Sequence, residues 1–315
     1  EQGPVLSHEV LSKWLPDVLE GAQGRPVFLV VIDNLRWDQW RSIAPTLRPK
    51  WNVVEESTYF SILPTATQYA RNALVAGMTP GDIARLLPNL WIAENEQGSK
   101  NANEEALQQN LFSRLGVTGK TSYHKITNLQ SGKRLADRFH ELKGQSVVTV
   151  VYNFVDMLSH ARSEMEVIKE LADDEAAYRS LTQSWFRHSP LKEMMDAMAD
   201  MGGRMILTTD HGTMRVDHPV EVRGDRETNN NLRYKVGKNL GYNSDEVMEI
   251  RNPENVGLPR PNVSSSYIFG KGKDFLVYPN NAAKYTKTFR DTFQHGGISM
   301  EEMIVPWIIL DPKGS

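Results

Sequence analysis

Residues 27–33 read VFLVVID: an apolar, mostly β-branched run that ends on a carboxylate. A strand covered on both faces has no polar side to alternate with, so this run predicts a central strand of a parallel sheet. Residues 147–155 (VVTVVYNFV) repeat the pattern, and 204–209 (RMILTT) and 305–310 (VPWIIL) are shorter versions of it. Helical patterns lie between them at 104–115, 131–142, 165–185 and 190–201, the last closed by Gly202 and Gly203. The alternation predicts an α/β fold, doubly wound on a mostly parallel sheet. Residues 216–278 break the rhythm. They are polar, rich in Asn, Arg and Lys, and read as an inserted cap with a hairpin over 267–277 turning near 270–272. Residues 7–19 read as a helix that Pro16 kinks or ends early. Residues 1–25 are therefore expected to be a helical linker and 26–315 a single domain.

Composition removes whole classes of chemistry. The 315 residues carry 36 Lys+Arg against 39 Asp+Glu, a formal charge of −3, and no cysteine. Disulfides, thiolate-bound zinc, Fe–S clusters and thiol nucleophiles are excluded. The near-neutral balance argues against a duplex nucleic-acid coat but leaves room for a local basic pocket. The longest apolar runs fall far short of the ~20 residues of a membrane helix. No signal-peptide pattern opens the chain, which points to a cytoplasmic protein. The first residue is Glu1 rather than Met, and the chain reads as a fragment whose missing part lies upstream.

Ligand-type residues cluster at the strand ends. Asp33 ends the first strand, Asp156 follows the second, and Asp210-His211-Gly212 follows the third. Open α/β sheets bind ligands beyond the carboxyl ends of their strands, so three strands deliver these groups to one edge. Each Asp taken alone also suits a helix cap. Asp156 and His160 are four apart, on one face if that turn is helical. His295 precedes the last apolar strand on a glycine pair. Asp33, Asp210 and His211 form one carboxylate/imidazole set; Asp156, His160 and His295 form another. Such sets suit zinc first and manganese second, and two such metals ~4 Å apart support phosphoryl transfer.

The nucleophile candidate is Thr67, read as the N-cap of a helix starting in LPTATQYARNAL, with Thr65 as its rival. Beside it, Arg71 and Asn72 are candidates for holding a non-bridging phosphate oxygen. The mixed charges of residues 215–238 suit either a solvated face or a phosphate-gripping rim, with Arg226 and Lys235 as its candidates and His218 as a further substrate contact. Trp37, Trp40, Trp51 and Tyr69 read as packing or as base-stacking surfaces. Met194, Met195, Met198 and Met201 read as a core-facing helix stripe.

The strings VVIDNLRWDQW, LPTATQYARNAL, TTDHGT and GDRETNNNLRYKVGKNL resemble those of PglZ domains of the alkaline phosphatase superfamily, in particular the output domains of PorX-type response regulators. The resemblance covers essentially the whole chain. It implies two zinc ions, one held by Asp33, Asp210 and His211 and activating Thr67, the other held by Asp156, His160 and His295. It also implies phosphodiesterase or phosphatase activity on nucleotides or (cyclic) oligonucleotides. An upstream receiver domain, homodimerisation and a link to type IX secretion follow from the same likeness. Superfamily phosphodiesterases often carry Thr-x-Pro-Asn at the nucleophile, the Asn holding the non-bridging phosphate oxygen. Here the string is Thr67-Gln68-Tyr69-Ala70-Arg71-Asn72, which leaves that role unassigned between Arg71 and Asn72. Two alternatives share this core: a metal-dependent phosphomutase, and a non-catalytic nucleotide- or partner-binding signalling module that retains its metal sites.

Overall fold

The computed structural model describes residues 3–94, 96–153, 174–225 and 228–314. Its centre is a six-stranded sheet containing β1 (Val27–Ile32), β2 (Trp51–Phe60), β3 (Thr121–Ile126), β4 (Val147–Tyr152), β5 (Arg204–Thr208) and the last strand, Ile304–Pro312. From one edge to the other the order is β2, Ile304–Pro312, β5, β1, β4, β3. β1 pairs in parallel with β4 and β5, and β3 in parallel with β4. The last strand runs antiparallel between β5 and β2.

The side-chain period of two explains why β1 is apolar throughout. Phe28, Val30 and Ile32 face one way, into a core with Trp40, Ile43 and Leu47 of α2 (Trp37–Leu47) and with Met194, Met195 and Met198. Val27, Leu29 and Val31 face the other way, onto Val10, Leu11, Leu15 and Val18 of α1 (Ser7–Ala22) and Leu74 of α3 (Thr67–Ala76). The sheet is covered on both faces, as its central runs predict. Trp51 joins the first core beside Trp40, so both serve packing.

Several expectations are corrected. α1 runs through Pro16 to Ala22, because the exposed ring costs one hydrogen bond while flanking Leu15 and Val18 are anchored in the core. Val10, Leu11, Leu15 and Val18 of α1 pack against β1 in the second core. The 267–277 hairpin does not form. Ser266–Gly270 pairs antiparallel with Tyr234–Gly237 and Val247–Ile250, whereas Asp274–Val277 pairs in parallel with His218–Glu221. The 131–142 helix is split into Leu129–Asp137 and a short turn, Phe139–Leu142. Of the pattern at 165–185, the described part is the helix Glu175–Arg187, started by the Asp174 carboxylate on the Ala177 amide.

The cap lies on the entrance to α3. Tyr234, Val236, Tyr267 and Phe269 of its three-stranded sheet pack with Ala66, Tyr69 and Val75. Tyr69 is the hinge pin of this contact: its ring meets those of Trp91, Tyr234 and Tyr267 edge-on. Among the described residues, no helix is long and apolar enough to cross a membrane.

Candidate active site

The parallel register of β1 with β5 brings the residues after both strands to one edge. Ligand atoms of Asp33, Asp210 and His211 lie within 4.8 Å of one another, and all three residues are buried. Each carboxylate is turned by its neighbours. Asp210 Oδ1 accepts from the amides of Asn34 (3.4 Å) and His211 (3.1 Å). Its Oδ2 has no donor among the described residues and faces His211 Nε2 at 3.6 Å. Burial pushes the Asp210 pKa up, but the fields of His211 and Arg71 and the backbone amides outweigh it and hold the group below the usual carboxylate value. Asp33 Oδ2 is held by Arg71 at 2.9 Å, leaving Oδ1 toward His211 at 3.8 Å.

His211 Nδ1 lies 3.0 Å from the Gly212 carbonyl, which can only accept. Nδ1 therefore carries a proton, and Nε2 is the ring nitrogen that faces the site. A buried carboxylate oxygen without a donor among the described residues, a second carboxylate and an imidazole nitrogen form a donor set that fits a divalent cation.

Thr67 Oγ1 stands 3.1 Å from that nitrogen. The helix cap is Ala66, with Thr67 as the first helical residue, which corrects the expected N-cap role. The Thr67 hydroxyl thus makes no capping bond. The amides of Thr67 and Gln68 head the helix without intrahelical acceptors, the arrangement that binds anions. Thr65 is committed elsewhere: its hydroxyl donates to the Gly297 carbonyl (2.9 Å) and accepts from the Gly296 amide (3.0 Å). His295 comes back from the far end of the chain to stack on His211, with ring centroids 4.3 Å apart.

A profile described as the BREX system PglZ alkaline phosphatase-like domain matches residues 10–310. The chain belongs to the PglZ family. Among solved structures, this PglZ domain is similar to murine ectonucleotide pyrophosphatase/phosphodiesterase 5. The TM-score is 0.58 at 11% identity, over 90% of this chain and 88% of that one. The murine protein is also known as an inactive threonine-to-alanine variant in complex with AMP, with TM-score 0.58, 11% identity, and coverage of 90% and 87%. Phosphonoacetate hydrolase from Sinorhizobium meliloti 1021, in complex with phosphonoformate, matches with TM-score 0.56 at 9% identity, over 91% of this chain and 90% of that one. No curated protein matches by sequence. The fold is therefore that of the alkaline phosphatase superfamily.

The remaining predicted residues of the PglZ domain divide by position. Asp156, His160 and Arg226 lie outside the described residues. Arg71 lies beneath the ligand carboxylates, fully buried, and bonds Glu104 at 2.6 Å as well as Asp33. Asn72 faces away, donating to the Lys100 carbonyl and accepting from Asn101, which also donates to the Thr67 carbonyl. His218 is exposed and paired with Asp274 at 2.9 Å.

Lys235 is buried in the cap, its amine 4.4 Å from the Tyr278 ring centre and, among the described residues, with only the Asn229 carbonyl as a distant acceptor. Burial lowers its pKa to about 7. An unfolded lysine titrates near ~10.4, so between about pH 7 and pH 10 the unfolded chain binds the extra proton. The penalty is full below about pH 7 and is relieved as pH rises, so stability increases with pH across that window. Lys235→Met is expected to flatten the increase, read as urea midpoints at about pH 7 and about pH 9.

Sequence reading missed Tyr59, Ser61, Glu104 and Glu302 as supports of the site. Ser61 Oγ and Tyr59 OH donate to the carbonyls of Asp210 and Thr209, bracketing the turn that carries the ligands. Glu104 anchors Arg71, and Glu302 anchors the loop after His295. Tyr59, Ser61 and Glu104 carry no local signal, because each acts on a residue far away in sequence, and Glu302 is held in place for Gly297 by the distant Arg233.

Proposed function

We propose that this PglZ domain is a metal-dependent phosphodiesterase or phosphatase acting on nucleotides or (cyclic) oligonucleotides, with Thr67 as nucleophile. The observation that carries the reading is the Thr67 hydroxyl at a helix start, 3.1 Å from His211 Nε2 and beside the Asp33/Asp210 carboxylates. The inactive threonine-to-alanine form of the murine phosphodiesterase, solved with AMP, supports the same direction. Asp33, Asp210 and His211 would hold one divalent cation. His295, with Asp156 and His160 as the sequence expects, would hold a second; zinc fits first and manganese is the alternative. The bound cations supply positive charge that lowers the hydroxyl's proton affinity and offsets the phosphate's charge.

The chain's own residues do the rest. Thr67 Oγ1 gives up its proton to solvent and forms the new O–P bond as the ester O–P bond opposite it breaks, the departing oxygen taking up a proton from solvent. The head of α3 holds the non-bridging oxygens through its free amides. Water then cleaves the phosphothreonine and regenerates Thr67. The further reading, an output domain of a homodimeric two-component regulator tied to type IX secretion, rests on the resemblance to PorX-type proteins alone.

The test is bound metal measured together with hydrolysis of a dinucleotide and of bis-p-nitrophenyl phosphate. Exhaustive chelation is expected to remove more than about 90% of the rate, and added zinc to restore it. Hydrolysis that survives chelation would sink the metal-dependent reading.

A further inference from the structure

β3 is the last strand at one end of the central sheet, and its outer edge is open. The Ile126 carbonyl accepts from the Asn153 amide just past β4. Backbone polar groups alternate in direction along a strand, so Ser122, His124 and Ile126 turn theirs toward β4. The amides and carbonyls of Thr121, Tyr123 and Lys125 therefore point out of the sheet, and none meets a partner among the described residues. This edge borders a groove of about 570 Å³, whose far wall is built by Leu129–Asp137 and Phe139–Leu142. Residues 123–126 all line it. Side chains alternate between the two faces of a sheet, so four in a row share one cavity only along the edge.

The two ends of the sheet are finished differently. Open edges recruit other strands unless a bulge, a proline or outward charges blunt them. β2 has a register shift opposite Ile309 and Leu310, and its Glu55 and Glu56 are exposed. β3 has none of these devices. Its six residues pair with β4 in unbroken register and include no proline. Its one lysine, Lys125, is drawn inward to Glu104 at 3.1 Å and to the Asn101 carbonyl at 3.2 Å. Charge then selects the occupant. Arg138 is paired with Glu141. Lys120, Lys133, Arg134 and Lys143, in or next to the walls of the groove, have no ion-pair partner among the described residues, and only Asp137 stands against them there. A second copy of this chain would set like charges against one another. A nucleic acid would answer the charges but offer no ladder to the outward amides.

We infer that the outer edge of β3 is a docking site for an acidic, extended segment of a partner protein, which adds a seventh strand to the six-stranded sheet. Main-chain hydrogen bonds to Thr121, Tyr123 and Lys125 supply the pairing, and Arg134 with its neighbouring lysines supplies the preference for acid. The site takes no part in the chemistry proposed above, so the two stand or fall separately.

The experiment uses the 315-residue chain and a peptide of about eight residues, alternating glutamate and valine and blocked at both ends, long enough to span β3. With the peptide at about ten times its dissociation constant, amide exchange read by NMR is expected to slow by about tenfold at Tyr123 and Lys125, the factor set by occupancy. Ser122 and His124, already bonded to β4, are expected to stay unchanged. Arg134 is exposed on its helix, and Arg134→Glu is expected to weaken binding by about threefold or more. The same peptide with every amide N-methylated keeps its charge but cannot donate, and is expected to bind at least about tenfold more weakly. Equal affinity for the methylated peptide, or protection that does not alternate along β3, overturns strand addition. Unchanged affinity in Arg134→Glu overturns the preference for acid. Exchange at Tyr123 and Lys125 untouched by about 1 mM peptide overturns the inference as a whole. So does protection of the same amides by oligothymidylate, or by self-association without peptide.

Discussion

Thr67→Ala is expected to lower turnover of bis-p-nitrophenyl phosphate by on the order of 10³–10⁶-fold while leaving fold and bound metal in place. The size follows from what is removed. With no hydroxyl at the head of α3, the two-step route through a phosphothreonine is closed, and only direct attack by water remains. The selectivity follows from geometry. Thr67 is half-buried, its hydroxyl caps nothing, and its one side-chain hydrogen bond among the described residues is the 3.1 Å contact to His211. Loss of that contact is expected to change stability by no more than about 1 kcal/mol. Asp33, Asp210 and His211 retain their supports from Arg71, the Asn34 amide and the Gly212 carbonyl. Metal content by mass spectrometry and the thermal midpoint separate a lost nucleophile from a lost site. A variant that stays active ends the assignment to Thr67. Thr65 is a poor substitute, because both hydrogen-bonding directions of its hydroxyl are taken.

The largest stability effect is expected at Arg71. Its guanidinium lies against Asp33 at 2.9 Å, Glu104 at 2.6 Å and Asp210 at 3.8 Å, all of them buried. Arg71→Met keeps most of the volume and removes the charge. Glu104 still has Lys125 at 3.1 Å and the Tyr123 hydroxyl at 2.7 Å, but Asp33 loses its cation. Breaking a buried pair from one side costs ~3–5 kcal/mol, and the surviving Glu104 contacts put this case near the lower end. For a chain of this size that corresponds to a thermal midpoint lower by about 6–12 °C in the metal-free protein. Zinc is expected to recover much of the loss, because a cation between Asp33 and Asp210 replaces the missing positive charge. A midpoint unchanged within about 1 °C would mean that the arginine is not what neutralises these carboxylates. A loss that zinc leaves untouched would mean that they do not bind the metal.

Local pattern was enough to recover the centre of the fold. β1, β4 and β5 are covered on both faces, so burial writes itself into consecutive residues, and each runs out close to a carboxylate or amide at the same edge. Two sheet strands escaped because burial there is one-sided or absent. β2 is an edge strand whose exposed residues 52–56 carry Val, Glu and Asn, and β3 is only half-buried over most of its length. The cap was located by its polarity but not its pairing. Which strand Asp274–Val277 joins depends on where His218–Glu221 lies in space, not on the short turn after Gly270.

By itself, then, the sequence determined the central strands and the carboxylate/imidazole order Asp33, Asp210, His211, because strand burial and the end of a strand are local properties of the chain. Tertiary structure alone decided between the two threonines. Thr65 meets the loop of Gly296 and Gly297 more than 200 residues away, whereas Thr67 meets His211 across 144 residues. It alone turned Arg71 down onto Asp33 and Glu104 and buried the Lys235 amine in the cap. It also joined Arg233 to Glu302 across 69 residues. A hydrogen bond needs its partners within about 3 Å and correctly aimed. For residues so far apart along the chain, only the packed sheet, helix and cap together supply that aim.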